Sequence, residues 1–246
     1  MSTGSFFGEL YLRSTRPFLA AHVTQADARY LSTRLDALPL EGPVLDVGCG
    51  HGRHLHLLQK SQKHRRAVIG VELDEASLRA LTAVGPAPVV RGDFFVLPFR
   101  DEAFAAAFAW YNTLFSFEEP SLLNLLKGLA RCVRPKGQLI VHGTWWEWAA
   151  SQPPAEFRGT LPDGSKLLER AAYDRLTGRD QIERELVTPG GQVMAGSFFI
   201  RYYPLDVLGA LLDEAGFETT WVHGNIEGHP VSPSSPDLIV GALKRG

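Results

Sequence analysis

Three carboxylates, Asp46, Glu72 and Asp93, each fall where a short apolar run rich in β-branched residues ends, and Asp46 is followed at once by glycines at 48, 50 and 52. Val44, Leu45 and Val47 read as a buried parallel strand, and a helical pattern begins near Arg53. A strand, a glycine turn and a helix start in that order let a ligand lie against bare backbone. Glycine reaches φ/ψ values closed to other residues, and its missing Cβ leaves room for close approach. The N–H groups that open the helix favour a negatively charged group. Asp46 narrows what that group can be. A carboxylate there repels a pyrophosphate but accepts hydrogen bonds from an ammonium or a hydroxyl. A dinucleotide fingerprint would also need glycine where Arg53 stands, so NAD is disfavoured. The ligand implied is a nucleoside carrying an amino-acid tail. Glu72, at the end of the second strand, is placed to accept hydrogen bonds from both ribose hydroxyls.

The string D-V-G-C-G-H-G from Asp46 to Gly52 resembles motif I of the class I S-adenosylmethionine-dependent methyltransferases. G-D-F-F-V-L-P-F from Gly92 to Phe99 is similar to the adenine-binding motif of the same family. The resemblance is best from Val44 to His142 and fair from Tyr203 to Lys244. It implies S-adenosylmethionine as cofactor, S-adenosylhomocysteine as product, and transfer of the methyl by in-line displacement to a small-molecule acceptor. At the cofactor it implies the loop residues Gly48, Cys49, Gly50 and Arg53, with Asp46. Glu72 and Leu73 would serve the ribose, and Asp93 and Phe94 the adenine. Ala109 and Trp110 would line the methionine side, and Tyr11 and Arg16, with Arg13 as a further candidate, would reach the methionine end from an arm laid over the cofactor. One departure is local: family members often carry Phe-Asp before the fourth strand, where this chain has Phe104-Ala105.

The acceptor side is less sharply drawn. Tyr111, Asn112, His142, Trp145, Arg201 and Tyr203 are candidates for its pocket, because an aromatic insertion with a few polar groups suits a small, partly apolar molecule. The sulfonium already makes the methyl electrophilic, so alignment is the main requirement, and a base is needed only for a protonated acceptor. His142, His223, Tyr202 and Tyr203 are the base candidates, and no catalytic residue is assigned. The Pro-Pro-aromatic motif of exocyclic-amine DNA methyltransferases is absent after the fourth strand, where Tyr111-Asn112-Thr113 stands. Neither Cys49 nor Cys132 is placed as a cytosine-type nucleophile. His51, His54 and His56 do not share one helix face, so no metal site is expected. Two alternatives stand beside methyl transfer: a cofactor-binding regulatory protein without catalysis, and an NAD(P)-dependent oxidoreductase.

Composition fits this reading. With 246 residues, 45% hydrophobic and 21% charged, the chain is ordinary for a globular enzyme. A formal net charge of -2 gives no field for phosphate backbones, and nucleic acid is not a favoured partner. Two cysteines do not make a disulfide framework, and the absence of a leader pattern or a long apolar run suggests a cytoplasmic protein without a membrane partner, monomeric or homodimeric.

The elements that must position these residues follow an α/β rhythm. A single domain is expected: an N-terminal arm and helix over 1–40, a cofactor-binding core over 41–142, an antiparallel insertion over 143–203, and the rest of the sheet over 204–246. The fold class is a doubly wound, Rossmann-like, seven-stranded, mostly parallel sheet with an antiparallel β insertion after strand five. Thr24 is expected to cap a helix to about Leu38, Asp74 another through Val84, and a third to run from about Pro120. Strands are expected at Ala67–Val71, Val89–Val90, Ala105–Trp110, Gln138–His142, Phe217–Val222 and Leu238–Leu243. Three period-two segments, Lys166–Asp174, Gln181–Thr188 and Val193–Tyr203, would form the insertion. The basic run from Lys60 to Arg66 reads as a solvated connection.

Overall fold

The computed structural model describes residues 7–60 and 66–246. Lys63 and Arg65 of the basic run lie outside the described residues. In chain order the elements are α1 (Glu9–Thr15), α2 (Ala21–Asp36), β1 (Val44–Val47), α3 (Arg53–Lys60), β2 (Val68–Glu72), α4 (Glu75–Val84), β3 (Val89–Arg91), β4 (Phe104–Ala109), α5 (Glu119–Cys132), β5 (Val133–Thr144) and α6 (Trp146–Ser151). They continue with β6 (Ala155–Thr160), β7 (Lys166–Asp174), β8 (Arg179–Val187), β9 (Val193–Arg201), α7 (Leu205–Glu214), β10 (Phe217–His223) and β11 (Asp237–Lys244).

Seven strands make one sheet in the order β10-β11-β5-β4-β1-β2-β3. β1, β2, β3, β4 and β5 pair in parallel, while β11 runs antiparallel to both β5 and β10. The fold class read from the sequence is therefore the one observed. Central strands buried on both faces must be apolar throughout. β4, Phe-Ala-Ala-Ala-Phe-Ala, meets that demand at every position. One core holds Leu122, Leu125, Leu126 and Leu129 of α5 with Leu208 and Leu212 of α7; the other holds Leu31 and Leu35 of α2, Leu55 and Leu58 of α3, and Leu81 of α4. Helices thus cover both faces. No helix among the described residues is long and apolar enough to cross a membrane.

Three local expectations need correction. Thr24 is inside α2 rather than its cap: the helix starts at Ala21, and the Thr24 hydroxyl bonds back to the Ala20 carbonyl. β5 begins at Val133, not Gln138, because Val133 already pairs with Phe104 before a bulge that restores register at Gln138. Inside that bulge Lys136 has φ +63, and a Cβ on Gly137 would lie 2.7 Å from the Ala105 carbonyl oxygen. The insertion has four strands, ordered β6-β7-β8-β9, preceded by the short helix α6. β6 was not expected because its exposed residues show no alternation of burial.

The insertion sheet is tied to the arm and to the main sheet by different contacts. Leu10 packs with Leu161, Leu167 and Leu186, Arg13 pairs with Asp163 at 2.8 Å, and Arg184 donates to the hydroxyls of Ser14 and Thr15 while pairing with Glu169. At the other end Arg179 and Arg201 pair with Glu118 and Glu119, at the start of α5.

Candidate functional site

The strand ends and their loops converge as a parallel sheet requires. Gly48, Gly50 and Gly52 have φ of +65, +55 and +74, a backbone that only glycine adopts at little cost. Their surroundings differ. A Cβ on Gly48 would meet Thr113 at 2.6 Å, and one on Gly52 would meet Leu81 at 2.7 Å. A Cβ on Gly50 would meet nothing within 4 Å. The middle of the loop therefore faces open space, flanked by Thr113 and by the Phe94 ring, 3.5 Å from the Gly48 position.

Two acids stand at this opening. Asp46 is buried, and burial, with Glu72 nearby, pushes its carboxyl up to about 8 against a smaller opposing effect of Arg53. Glu72 has its pKa raised by burial, opposed by three backbone N–H donors. Gly50 N donates to Oε2 at 2.9 Å, and Leu73 N and Asp74 N donate to Oε1 at 2.8 Å each. A carboxylate offers about four lone-pair directions, so Glu72 has room for one further donor; engaging two ribose hydroxyls requires a backbone N–H to let go. Asp93 accepts from Phe95 N at 2.8 Å, while Leu73 lies exposed at the rim. Cys49 is half-buried, and burial, then the charges of Asp46 and Glu72, push its thiol up, which keeps it protonated.

Arg53 opens α3 directly after the loop. Its guanidinium lies 4.0 Å from the Tyr111 ring centroid, donates to Thr24 Oγ1 at 3.0 Å and approaches Asp27 at 4.0 Å. Tyr11, on the arm, has its hydroxyl raised by burial, with Arg53, Arg184 and Glu72 the charges acting on it. Arg16 acts on His51, whose pKa burial lowers to about 4. Tyr11, packed against the cluster of Leu10, Leu161, Leu167 and Leu186, and Arg16 are thus within electrostatic reach of Arg53, Glu72 and His51. Asp27 also bonds His54 Nε2 at 3.3 Å, and burial holds that imidazole at about 4 and so uncharged near neutrality.

The turn after β4 carries backbone strain. Tyr111 and Asn112 have φ of +57 and +59, two consecutive left-handed residues that are not glycine. Such pairs persist only when their surroundings hold them. His142 does much of the holding: its Nδ1 accepts from Tyr111 N at 3.1 Å, its Nε2 faces Asp237 at 3.5 Å, and Trp110 stacks on its ring at 4.4 Å. An Nδ1 that accepts from an N–H is unprotonated, so the proton sits on Nε2 facing the carboxylate. Both nitrogens are occupied, which leaves neither to serve as a base. Asn112 in turn accepts from Thr144 N at 2.9 Å and donates to Thr144 Oγ1 at 3.3 Å.

Other residues chosen from the sequence stand apart. Ala109 is fully buried in the core against α5, so only its backbone is at the strand end. Trp110 is packed between Tyr30 and His142, with its ring N–H unpartnered among the described residues. Trp145 is buried and donates to Glu147; Tyr203 is buried and donates to the Phe117 carbonyl at 2.9 Å. Arg201 is held by Glu118 and Glu119, and His223 takes part in a separate cluster with Tyr30 and Arg34. The residues passed over are Asp27, Thr113, Thr144 and Asp237. Asp27 left a signal, an acid on the apolar stripe of a helix beside Ala28 and Leu31.

Residues 44–137 match a family model described as a methyltransferase domain. No curated protein sequence matches the chain. Among solved structures, the CcbJ methyltransferase from Streptomyces caelestis is similar at a TM-score of 0.79 and 20% identity, covering 98% of each chain. An S-adenosylmethionine-dependent methyltransferase from Clostridium acetobutylicum has a TM-score of 0.76 at 11% identity, covering 96% of this chain and 97% of that one. An amino pentose methyltransferase from Micromonospora echinaspora, bound to S-adenosylmethionine, has a TM-score of 0.70 at 17% identity over the same shares. The chain thus matches a methyltransferase-domain model over residues 44–137, and its fold is that of solved methyltransferases, one described as S-adenosylmethionine-dependent and another as bound to S-adenosylmethionine.

Proposed function

We propose that this protein transfers a methyl group from S-adenosylmethionine to an amino nitrogen of a small-molecule acceptor. The observation that carries the cofactor half is the open backbone at Gly50 with Asp46 and Glu72 beside it. Asp46 meets the ammonium of the methionine tail, Glu72 takes a ribose hydroxyl, and Asp93 with Phe94 receives the adenine. Arg53, Tyr11 and Arg16 supply the donors for the tail carboxylate. When bound, the cofactor supplies an electrophilic methyl, and the chain's task is to hold a nucleophile in line with it. Nitrogen as the nucleophile is supported by neighbours of the same fold described as an amino pentose methyltransferase and a sugar N-methyltransferase.

Calorimetric titration with S-adenosylmethionine, S-adenosylhomocysteine and NADH tests the cofactor, on the wild type and on Asp46→Ala and Glu72→Ala. Selective binding of the first two, weakened in both variants, is expected. Binding of NADH alone would overturn the reading of the loop. A screen of amines and alcohols with labelled cofactor then tests the acceptor, and transfer confined to alcohols would refute nitrogen. Tight cofactor binding without transfer to any acceptor would favour a regulatory role.

A further inference from the structure

A second groove, of about 430 Å³, opens where α2 meets the connection between β10 and β11. That volume suits a small molecule. Ala26, Arg29, Tyr30 and Arg34 line it from the helix, at spacings of three and four that keep them on one face. Ile226 and Glu227 line it from the connection, where they form the tip of a turn closed by Gly228 N donating to the Asn225 carbonyl at 3.1 Å. None of the residues placed at the cofactor crevice borders this groove.

Arg34 is half-buried here, and its surroundings are aromatic rather than acidic. The guanidinium lies 4.8 Å from the Trp221 ring centroid and 5.4 Å from that of Tyr30. Trp221 in turn lies across Gly241 of β11, where a Cβ would come within 2.0 Å of the ring. Arg34 Nη2 stands 3.3 Å from His223 Nδ1 and 3.4 Å from Nε2. One N–H cannot align with both nitrogens, because their in-plane directions diverge, and the Tyr30 hydroxyl already meets Nδ1 at 2.8 Å. Neither Arg34 nor Arg29 has an ion-pair partner among the described residues, and Glu227 pairs with neither. Two guanidiniums against one carboxylate leave the groove with one positive charge in excess.

We propose that this groove binds a small organic carboxylate with an apolar body. A planar guanidinium receives a carboxylate through two parallel N–H donors, and Arg34, backed by its rings and lacking an acid, offers that fork. Arg29 adds a second positive charge at the exposed edge. Ala26, the Tyr30 ring and Ile226 supply the apolar wall for the rest of the ligand.

The test is titration of the full chain with benzoate, with benzamide, which has the same shape without the charge, and with inorganic phosphate, which has charge without the apolar body. All titrations are run at one ionic strength and followed by calorimetry and by the imidazole resonances of His223. Benzoate is expected to bind with a dissociation constant of about 1 mM, and each of the other two about tenfold more weakly. Benzoate should also raise the pKa of His223, which burial and then the Arg34 charge hold below its ordinary value, because the carboxylate offsets that charge. Arg34→Gln should weaken benzoate about tenfold, as expected for loss of a charge-assisted pair, and Arg34→Lys, with the charge but not the fork, should recover part of the loss. S-adenosylhomocysteine should not displace benzoate. If Arg34→Gln does not fold, Arg29→Gln, expected to weaken benzoate about threefold, and the wild-type comparison of benzoate with benzamide decide. Benzamide or phosphate binding as tightly as benzoate, binding of none of the three, full benzoate affinity in Arg34→Gln, or displacement by S-adenosylhomocysteine overturns the assignment.

Discussion

Replacing Asp46 by asparagine isolates one proton. With its carboxyl pushed up to about 8, Asp46 is ionised in about one molecule in ten at pH 7 and about one in a hundred at pH 6. A ligand whose ammonium requires the charged form then binds about tenfold more weakly for each unit of pH below 8. The sign follows from the raised pKa: the ligand-free protein holds a proton that the complex must shed. Calorimetry at pH 6 and 7 should show the dissociation constant of S-adenosylhomocysteine falling about tenfold between them. At pH 7, titrations in buffers of differing ionisation enthalpy should show about 0.9 proton released to the buffer. The α-amino group of the ligand titrates near pH 8, which is why the lower window is the informative one. Asp46→Asn should flatten the profile and release no proton from this site. A wild-type affinity equal at pH 6 and 7, or an Asp46→Asn profile as steep as the wild type, would refute the pairing of Asp46 with the ammonium.

Other substitutions separate ligand contact from folding. Gly50→Ala places a methyl in open space, so it should cost about 1 to 2 kcal/mol of stability from left-handed backbone alone while abolishing cofactor binding by calorimetry. Gly52→Ala adds a clash with Leu81 and should lower the thermal midpoint more than Gly50→Ala does. His142→Ala removes the acceptor that holds Tyr111 N; hydrogen exchange at Tyr111 and Asn112 should accelerate, with stability down by about 1 to 3 kcal/mol in urea unfolding. Arg184→Ala removes the insertion sheet's bonds to Ser14 and Thr15 while leaving the Leu10 packing and the Arg13–Asp163 pair, so amide exchange at the end of α1, near residues 14–15, should rise while β1 stays protected.

Legibility in the sequence followed the range of the interactions. The glycine loop, the strand-end acids and the cap Asp74, which accepts from Ser77 N, are set by neighbours within a few residues. Leucine spacing in α5 likewise encodes its buried face. The hidden start of β5 was not readable, because Pro135 and Gly137 signal a break that a bulge absorbs. Thr24 has the chemistry of a helix cap, yet Arg53, nearly thirty residues on, claims its hydroxyl. His142 looked like a base when its surroundings were unknown; only folding shows that Tyr111 and Asp237 occupy both its nitrogens. Asn112 is a residue that tolerates the left-handed region, whereas Tyr111 carries no such marker and is held there by His142 of β5.

β11 follows the other six strands of its sheet in sequence, yet it lies inside that sheet, between β5 and β10. A ribosome therefore delivers this interior strand only after both of its neighbours. Until residues 237–244 emerge, β5 presents an open row of backbone donors and acceptors and β10 has no neighbour to pair with. A nascent chain halted before that point is exposed to pairing with other chains, and the sheet can close only once β11 has been made.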